Sequence, residues 1–195
     1  MNAFLFILSA ALLLGACQKD TIETYRAPAE KPEAAPNGSR GMGTTMPEIP
    51  GAAEEAQAAR RQISWTVPSG WQEKPGSAMR VGSFLIKGAK GTADVSVVSI
   101  GGNAGGDLAN VNRWRGQIQL PPWTEADLAR ERRSMSVGGR PATEVDFAYQ
   151  DQRIIAIICA GPAQNWFFKI SGEESAVGEA KPAFRQFAES IRFRE

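Results

Sequence analysis

Histidine is absent from this chain of 195 residues. Without it there is no Ser-His-Asp or Cys-His nucleophile, no imidazole general base and none of the common zinc sites, so most familiar hydrolase mechanisms are excluded. Cysteine is nearly as scarce, with Cys17 and Cys159 alone. A dominant charge is also lacking: Lys and Arg number 22 against 21 Asp and Glu, a net charge of +1. From Ile63 to Glu195 the counts are 16 and 14, and no basic stripe marks a nucleic-acid footprint. The apolar run from Ala3 to Ala16 falls short of the roughly 20 residues that a membrane-spanning helix needs.

That run, AFLFILSAALLLGA, has the length of a signal-peptide core. It leads into Leu14-Gly15-Ala16-Cys17, which resembles the lipobox of bacterial lipoproteins, where small residues admit the signal peptidase and the cysteine thiol receives a diacylglyceryl group. The resemblance implies a signal peptide over 1–16 and a mature chain beginning at lipidated Cys17. Several acyl chains together anchor stably, because each buried methylene contributes about 0.8 kcal/mol. The membrane is then a partner through Cys17, and the expected location is the bacterial cell envelope, facing the periplasm. Gln18, in place of an Asp that resembles an inner-membrane retention signal, favours the outer membrane. The segment before the apolar run, Met1 and Asn2, departs from the pattern in having no Lys or Arg. With Cys17 acylated, Cys159 has no partner and no disulfide is expected.

From Gln18 to Arg61 the chain is rich in Ala, Pro, Glu and Gly. It has too few large apolar residues to offset its ordering entropy, so residues 17–62 read as the lipidated cysteine and a disordered tether. Its root-mean-square reach is about 35 to 40 Å. GAAEEAQAARR at the end of the tether can form a short helix, but with little apolar face to dock. Residues 63–195 suit one domain with its own core.

Within that domain ISWTV, MRVGSFLIK, ADVSVVSI, SMSV, ATEVDFAY, RIIAIICA and NWFFKIS read as strands, separated by turn signals such as GAKG, Gly138-Gly139, Asp151-Gln152 and Gly161-Pro162. Helices are predicted from Leu108, from Glu125, and in a last segment where Phe184, Phe187, Ala188 and Ile191 fall at helical spacing and Pro182 suits the first turn. RIIAIICA is apolar on both faces and belongs at the centre of a sheet. In ATEVDFAY, Glu144 and Asp146 share a face that should be wet. The class is α+β, an antiparallel sheet of about six to seven strands packed between helices.

VPSGW, Val67 to Trp71, together with FRQFAESIRF, Phe184 to Phe193, resembles the opening and closing of the PsbP and Mog1-like α-β-α sandwich. That fold also appears in bacterial lipoproteins. The resemblance spans the domain and implies binding or assembly, the property shared by photosystem-extrinsic subunits and Ran-binding nuclear proteins. No site motif of those proteins is matched, so no functional residue is carried over.

GGNAGGD, Gly101 to Asp107, lacks the Lys-Ser/Thr pair of a phosphate loop, and Asp107 at the helix start would repel an anion. Glu144 and Asp146 are too few for calcium, which takes six to eight oxygens. Cys159 in an apolar strand reads as a small hydrophobe. Arg130, Arg132 and Arg133 read as cations at a helix C-terminus. No metal, cofactor or catalytic residue is expected.

NVNRWRGQIQLPPW, Asn110 to Trp123, is the stretch whose role is open. Leu108, Val111, Trp114 and Ile118 make an apolar stripe about 120° wide, which assigns Trp114 to the core. Trp123 before Thr124, with Asp127 and Leu128 beyond, has the pattern of a capping box with a hydrophobic staple. Arg115 falls inside the apolar stripe, flanked by Asn112 and Gln119, and Arg113 faces solvent. Two readings stand for Arg115: a buried tie to the sheet or a loop, or, with Asn112 and Gln119, the lining of a polar groove that receives an acidic or peptide ligand. The expected function is a lipid-anchored envelope binding or assembly module without catalytic activity, with an envelope protein or peptide as partner. An envelope enzyme using carboxylate, serine or lysine chemistry, or a purely structural lipoprotein, stays open as an alternative.

Overall fold

The computed structural model describes residues 51–77, 79–102 and 104–194. The signal peptide, the lipidation at Cys17 and the tether before residue 51 lie outside the described residues. Helix α1, Ala52–Arg61, leads into β1, Ile63–Ser64, and β2, Trp71–Glu73. Strands β3, Gly82–Gly88, and β4, Gly91–Gly101, form a hairpin. Helices α2, Gly106–Gln117, and α3, Glu125–Glu131, follow. Then come β5, Arg133–Val137, β6, Arg140–Tyr149, β7, Gln152–Ala160, and β8, Gln164–Glu173, before α4, Glu174–Glu189, and β9, Arg192–Phe193.

Seven strands make one sheet in the order β2-β3-β4-β8-β7-β6-β5, antiparallel throughout. Two meanders meet where β4 pairs with β8 and Val97 lies opposite Phe168. Turn chemistry closes the hairpins: Gly138 and Gly139, at φ 56° and 80°, join β5 to β6, a two-residue connection that needs left-handed backbone. Strand β7 is buried through Ile154 to Cys159 and covered on both faces, as its apolar sequence predicts.

One face packs under α4. Phe84, Val95, Phe168, Ile170, Phe184 and Phe187 are fully buried there, each side chain contributing about 1.5–3 kcal/mol on removal from water. Trp65 and Trp71 stack against Phe187 at 5.8 and 5.3 Å between ring centroids. The other face holds a smaller core in which Val111, Trp114, Ile118 and Leu128 meet Val145, Phe147, Ile154, Ile158 and Phe167. The α+β fold, a sheet between helices, therefore rests on two apolar layers.

Several local expectations are corrected. ISWTV is strand only at Ile63–Ser64, and it leaves the main sheet to pair with β9, which supplies the backbone partners that β2 gives to β3 instead. Helix α1 docks: Ala59 is buried in the core and the Arg60 guanidinium lies 4.1 Å from the Trp65 ring centroid. Small Ala side chains suffice because the helix packs through one position only. Pro182 lies inside α4. Ala176, Val177 and Ala180 extend the buried stripe one further stretch upstream, and Gly178 stands at the position four residues before the proline, where the ring meets the carbonyl.

The face of β6 carrying Glu144 and Asp146 is not wet. Arg185 of α4 makes a two-pronged pair with Glu144, which is only 3% exposed, at 2.8 and 2.5 Å. Asp146 takes Arg153 at 2.9 and 2.8 Å and Lys181 at 2.6 Å. Burial pushes the Asp146 carboxyl up, but the hydrogen bonds and charges of Arg153 and Lys181 outweigh it and hold it below the usual carboxylate range. Cations on α4 thus let a charged strand face enter the interior.

Candidate binding surface

Helix α2 lies along the second face with its apolar stripe down, and its two flanks differ. Its first turn is fixed by Asn110, whose amide donates to the carbonyls of Ala104 and Gly106, both at 2.8 Å. The helix begins after Gly105, at φ 84°, so Asp107 falls within the first turn and is not the cap.

The flank toward α3 contains the residues singled out in the sequence. Asn112 clamps the Trp123 backbone, donating to its carbonyl at 2.9 Å and accepting from its N–H at 2.7 Å. Arg115 is 6% exposed and donates from Nε to the Pro121 carbonyl at 2.8 Å, with its guanidinium 4.3 Å from the Trp123 ring and 5.4 Å from Phe147. Burial lowers the Arg115 pKa, against the fields of Asp127 and Glu131. Gln119 is exposed, in left-handed backbone at φ 61°, where α2 turns away. Asn112 and Arg115 therefore come together on the α2–α3 turn, and Gln119 stands at its rim. Thr124 and Asp127 complete that turn with the predicted capping box, and Trp123 and Leu128 meet in one apolar cluster. Arg130 pairs with Asp127 and Glu131, each at 2.9 Å, so its side chain goes to carboxylates.

The flank toward β4 is polar in a different way. Lys169, Ser96 and Ser83 form a row across β8, β4 and β3, in direct register. Lys169 Nζ donates to Gln117 Oε1 of α2 at 3.0 Å. Arg80 donates to Ser83 Oγ at 3.1 Å and to Asp94 at 2.7 Å, and Lys74 stands 3.6 Å from the same carboxylate. Arg113 is held beside this row by Asn110 Oδ1 at 2.5 Å. Burial lowers the Lys169 pKa, the cationic fields of Arg80 and Arg113 add to the lowering, and Asp94 opposes it. Beyond the row Gln72 and Lys87 are exposed and Leu85 half-buried. Within this polar flank beside α2, Ser83 and Ser96 are themselves buried, at 3% and 5% exposure.

Sequence reasoning missed this row. The signal is in NWFFKIS, where Asn165, Phe167, Lys169 and Ser171 share a face that changes from apolar to polar, and in the Ser83–Ser96 pairing, which only strand register reveals. Elsewhere, a small pocket of about 180 Å³ lies where Arg140 and Arg194 flank Trp166 and Phe193. Cys159 is buried and unpaired; burial pushes its thiol up, with Arg140 opposing. Among the described residues no group of His, Cys, Asp or Glu is arranged to hold a metal ion.

No family model and no curated protein matches the chain. Among solved structures, it is similar to LpqN of Mycobacterium tuberculosis, described as involved in cell envelope biogenesis, with 16% identity over 68% of this chain and 83% of that one and a TM-score of 0.46. It is also similar to the cyanobacterial PsbP of Synechocystis, with 14% identity over 82% of this chain and 99% of that one and a TM-score of 0.42. A protein of unknown function from Pseudomonas aeruginosa aligns with 15% identity over 69% of this chain and 99% of that one, at a TM-score of 0.41.

Proposed function

We propose that this chain is a lipid-anchored binding or assembly module of the bacterial cell envelope, without catalytic activity, whose partner is a protein or peptide seated on the polar flank beside α2. The observation that carries the reading is the second face of the sheet: α2 covers its apolar part, and alongside the polar row of Lys169, Ser96 and Ser83 the side chains of Gln72 and Lys87 are exposed. The lipobox-like Leu14 to Cys17 supports the anchor and the location. Against catalysis, the carboxylates on β6 are saturated by Arg185, Arg153 and Lys181, and the thiol is buried with a raised pKa. Asn112 and Arg115 clamp the α2–α3 turn and Gln119 is exposed at its rim, so the partner is proposed to sit on the opposite flank of the same helix.

Photo-crosslinking of the full-length protein in its native membrane tests this. A photoreactive residue at Gln72 or Lys87 should recover one abundant partner, and the same residue at Gln186, on the outer side of α4, should not. Equal recovery from both positions sinks the assignment of this flank.

A further inference from the structure

The pocket of about 180 Å³ beside β9 has two cations in its lining, Arg140 and Arg194, and no Asp or Glu. Arg80, Arg153 and Arg185 are half-buried like Arg140, and each of them holds a carboxylate. Arg140 holds none, and among the described residues no acceptor meets its side chain or that of Arg194. The Arg140 guanidinium is fixed by surfaces instead: it lies 4.0 Å from the centroid of the Phe193 ring, and a Cβ on Gly161 would come within 3.1 Å of its Nη1. Phe193 is held in turn, 5.5 Å from the Trp166 ring and so close over Gly138 that a Cβ there would stand 2.7 Å from its Cδ2. At the rim Gln164 donates to Gln62 Oε1 at 2.8 Å, which leaves the Gln62 amide nitrogen as a further donor. A guanidinium that is packed in place with its N–H groups unused is a preorganised fork for a planar oxyanion.

We propose that this pocket binds a carboxylate carried on a small apolar group, with Arg140 as the principal donor, Arg194 and Gln62 at the rim, and the apolar group against Phe193 and Trp166. Its volume is below the roughly 300 to 1,000 Å³ of pockets that enclose a whole small molecule, so it suits one end group. Two aromatic walls favour an organic carboxylate over a fully hydrated inorganic anion, whose desolvation they would not repay. The same chemistry is offered by the C-terminal residue of a peptide and by a free acid, and these are the two sources to separate. Trp166 belongs to the core under α4, on the face of the sheet opposite to α2, so this occupant is independent of the partner proposed there.

The experiment is an NMR titration of the full-length protein with benzoate and with the tripeptide Ala-Ala-Phe, against benzamide, the amidated tripeptide and inorganic phosphate. The reporter is the indole N–H of Trp166, which is buried without a hydrogen-bond partner in a residue of the pocket wall and is assigned by its loss in Trp166→Phe. Both carboxylates should move this resonance and weaken with salt, and the amides should not. Affinity should fall about tenfold in Arg140→Gln and about threefold in Arg194→Gln, and stay unchanged in Lys87→Gln, which removes the same charge elsewhere. The Arg194 side chain has no contact within the fold to lose, so its variant reads the pocket even where Arg140→Gln is destabilised. Tighter binding of the tripeptide than of benzoate supports a chain end as the ligand, and the reverse order supports a free acid. Benzamide or the amidated peptide binding as well as its acid, phosphate binding more tightly than either carboxylate, or affinity undiminished in both arginine variants overturns the proposal.

Discussion

The two faces of the sheet are built from the same strands and end differently. Under α4, Phe84, Val95, Phe168 and Ile155 continue the apolar layer from β3 to β7, and charge enters at β6, where Arg185, Lys181 and Arg153 neutralise it. Under α2, the layer is apolar over β6, β7 and part of β8, and then becomes Lys169, Ser96, Asp94 and Ser83. On β8 the change takes two residues, from Phe167 to Lys169. A covered face is free to be apolar everywhere; a half-covered one needs polar groups where its helix stops.

Substitutions can break this contrast. The largest effect is expected from Phe187→Ala, which empties the centre of the aromatic cluster beneath α4 and should cost about 3–5 kcal/mol in denaturant unfolding. Arg185→Ala leaves the buried Glu144 carboxylate unpaired and should cost about 3 kcal/mol; if Glu144→Gln in the same background restores none of it, charge is not what is lost. On the α2 face, Arg115→Ala removes a guanidinium stacked on Trp123 and its bond to Pro121, and about 2 kcal/mol should go with it. Ser96→Ala removes one hydroxyl from a buried position of the polar row and should change stability by no more than about 1 kcal/mol. A shift like that of Phe187→Ala would mean that the row is part of the core.

The smallest effect is with pH. Backbone and side-chain hydrogen bonds from Thr124, then one from Arg130, hold the Asp127 carboxyl down to about 2, from 3.8 in the unfolded chain. A depressed acid contributes stability that is present above 3.8 and lost as pH falls toward 2. NMR shifts of the Thr124 and Asp127 amides should therefore move in that interval.

Much of this was legible in the chain. Alternation located β6, a continuous apolar run located β7, and helical spacing located Phe184, Phe187 and Ile191, because each pattern reflects one local geometry. The Thr124–Asp127 box could be read because capping is decided within four residues. The pairing of Ile63 with Phe193 could not, since its partners are far apart in sequence, and the burial of Glu144 depended on cations that α4 brings from 41 residues away. The row of Lys169, Ser96 and Ser83 is of the same kind: each member is unremarkable in its own strand, and only register makes them neighbours.

The ribbon of β1 and β9 has a further consequence. Ile63 faces Phe193, Ser64 faces Arg192, and the Arg194 N–H donates to the Gln62 carbonyl at 2.8 Å. The two ends of the folded domain thus leave from one corner, side by side and antiparallel. A circular permutant that joins them through a short linker and opens the chain in the Pro162–Ala163 turn should still fold. A load pulling α1 away from β9 would part this ribbon one pair at a time, well before it reached the main sheet.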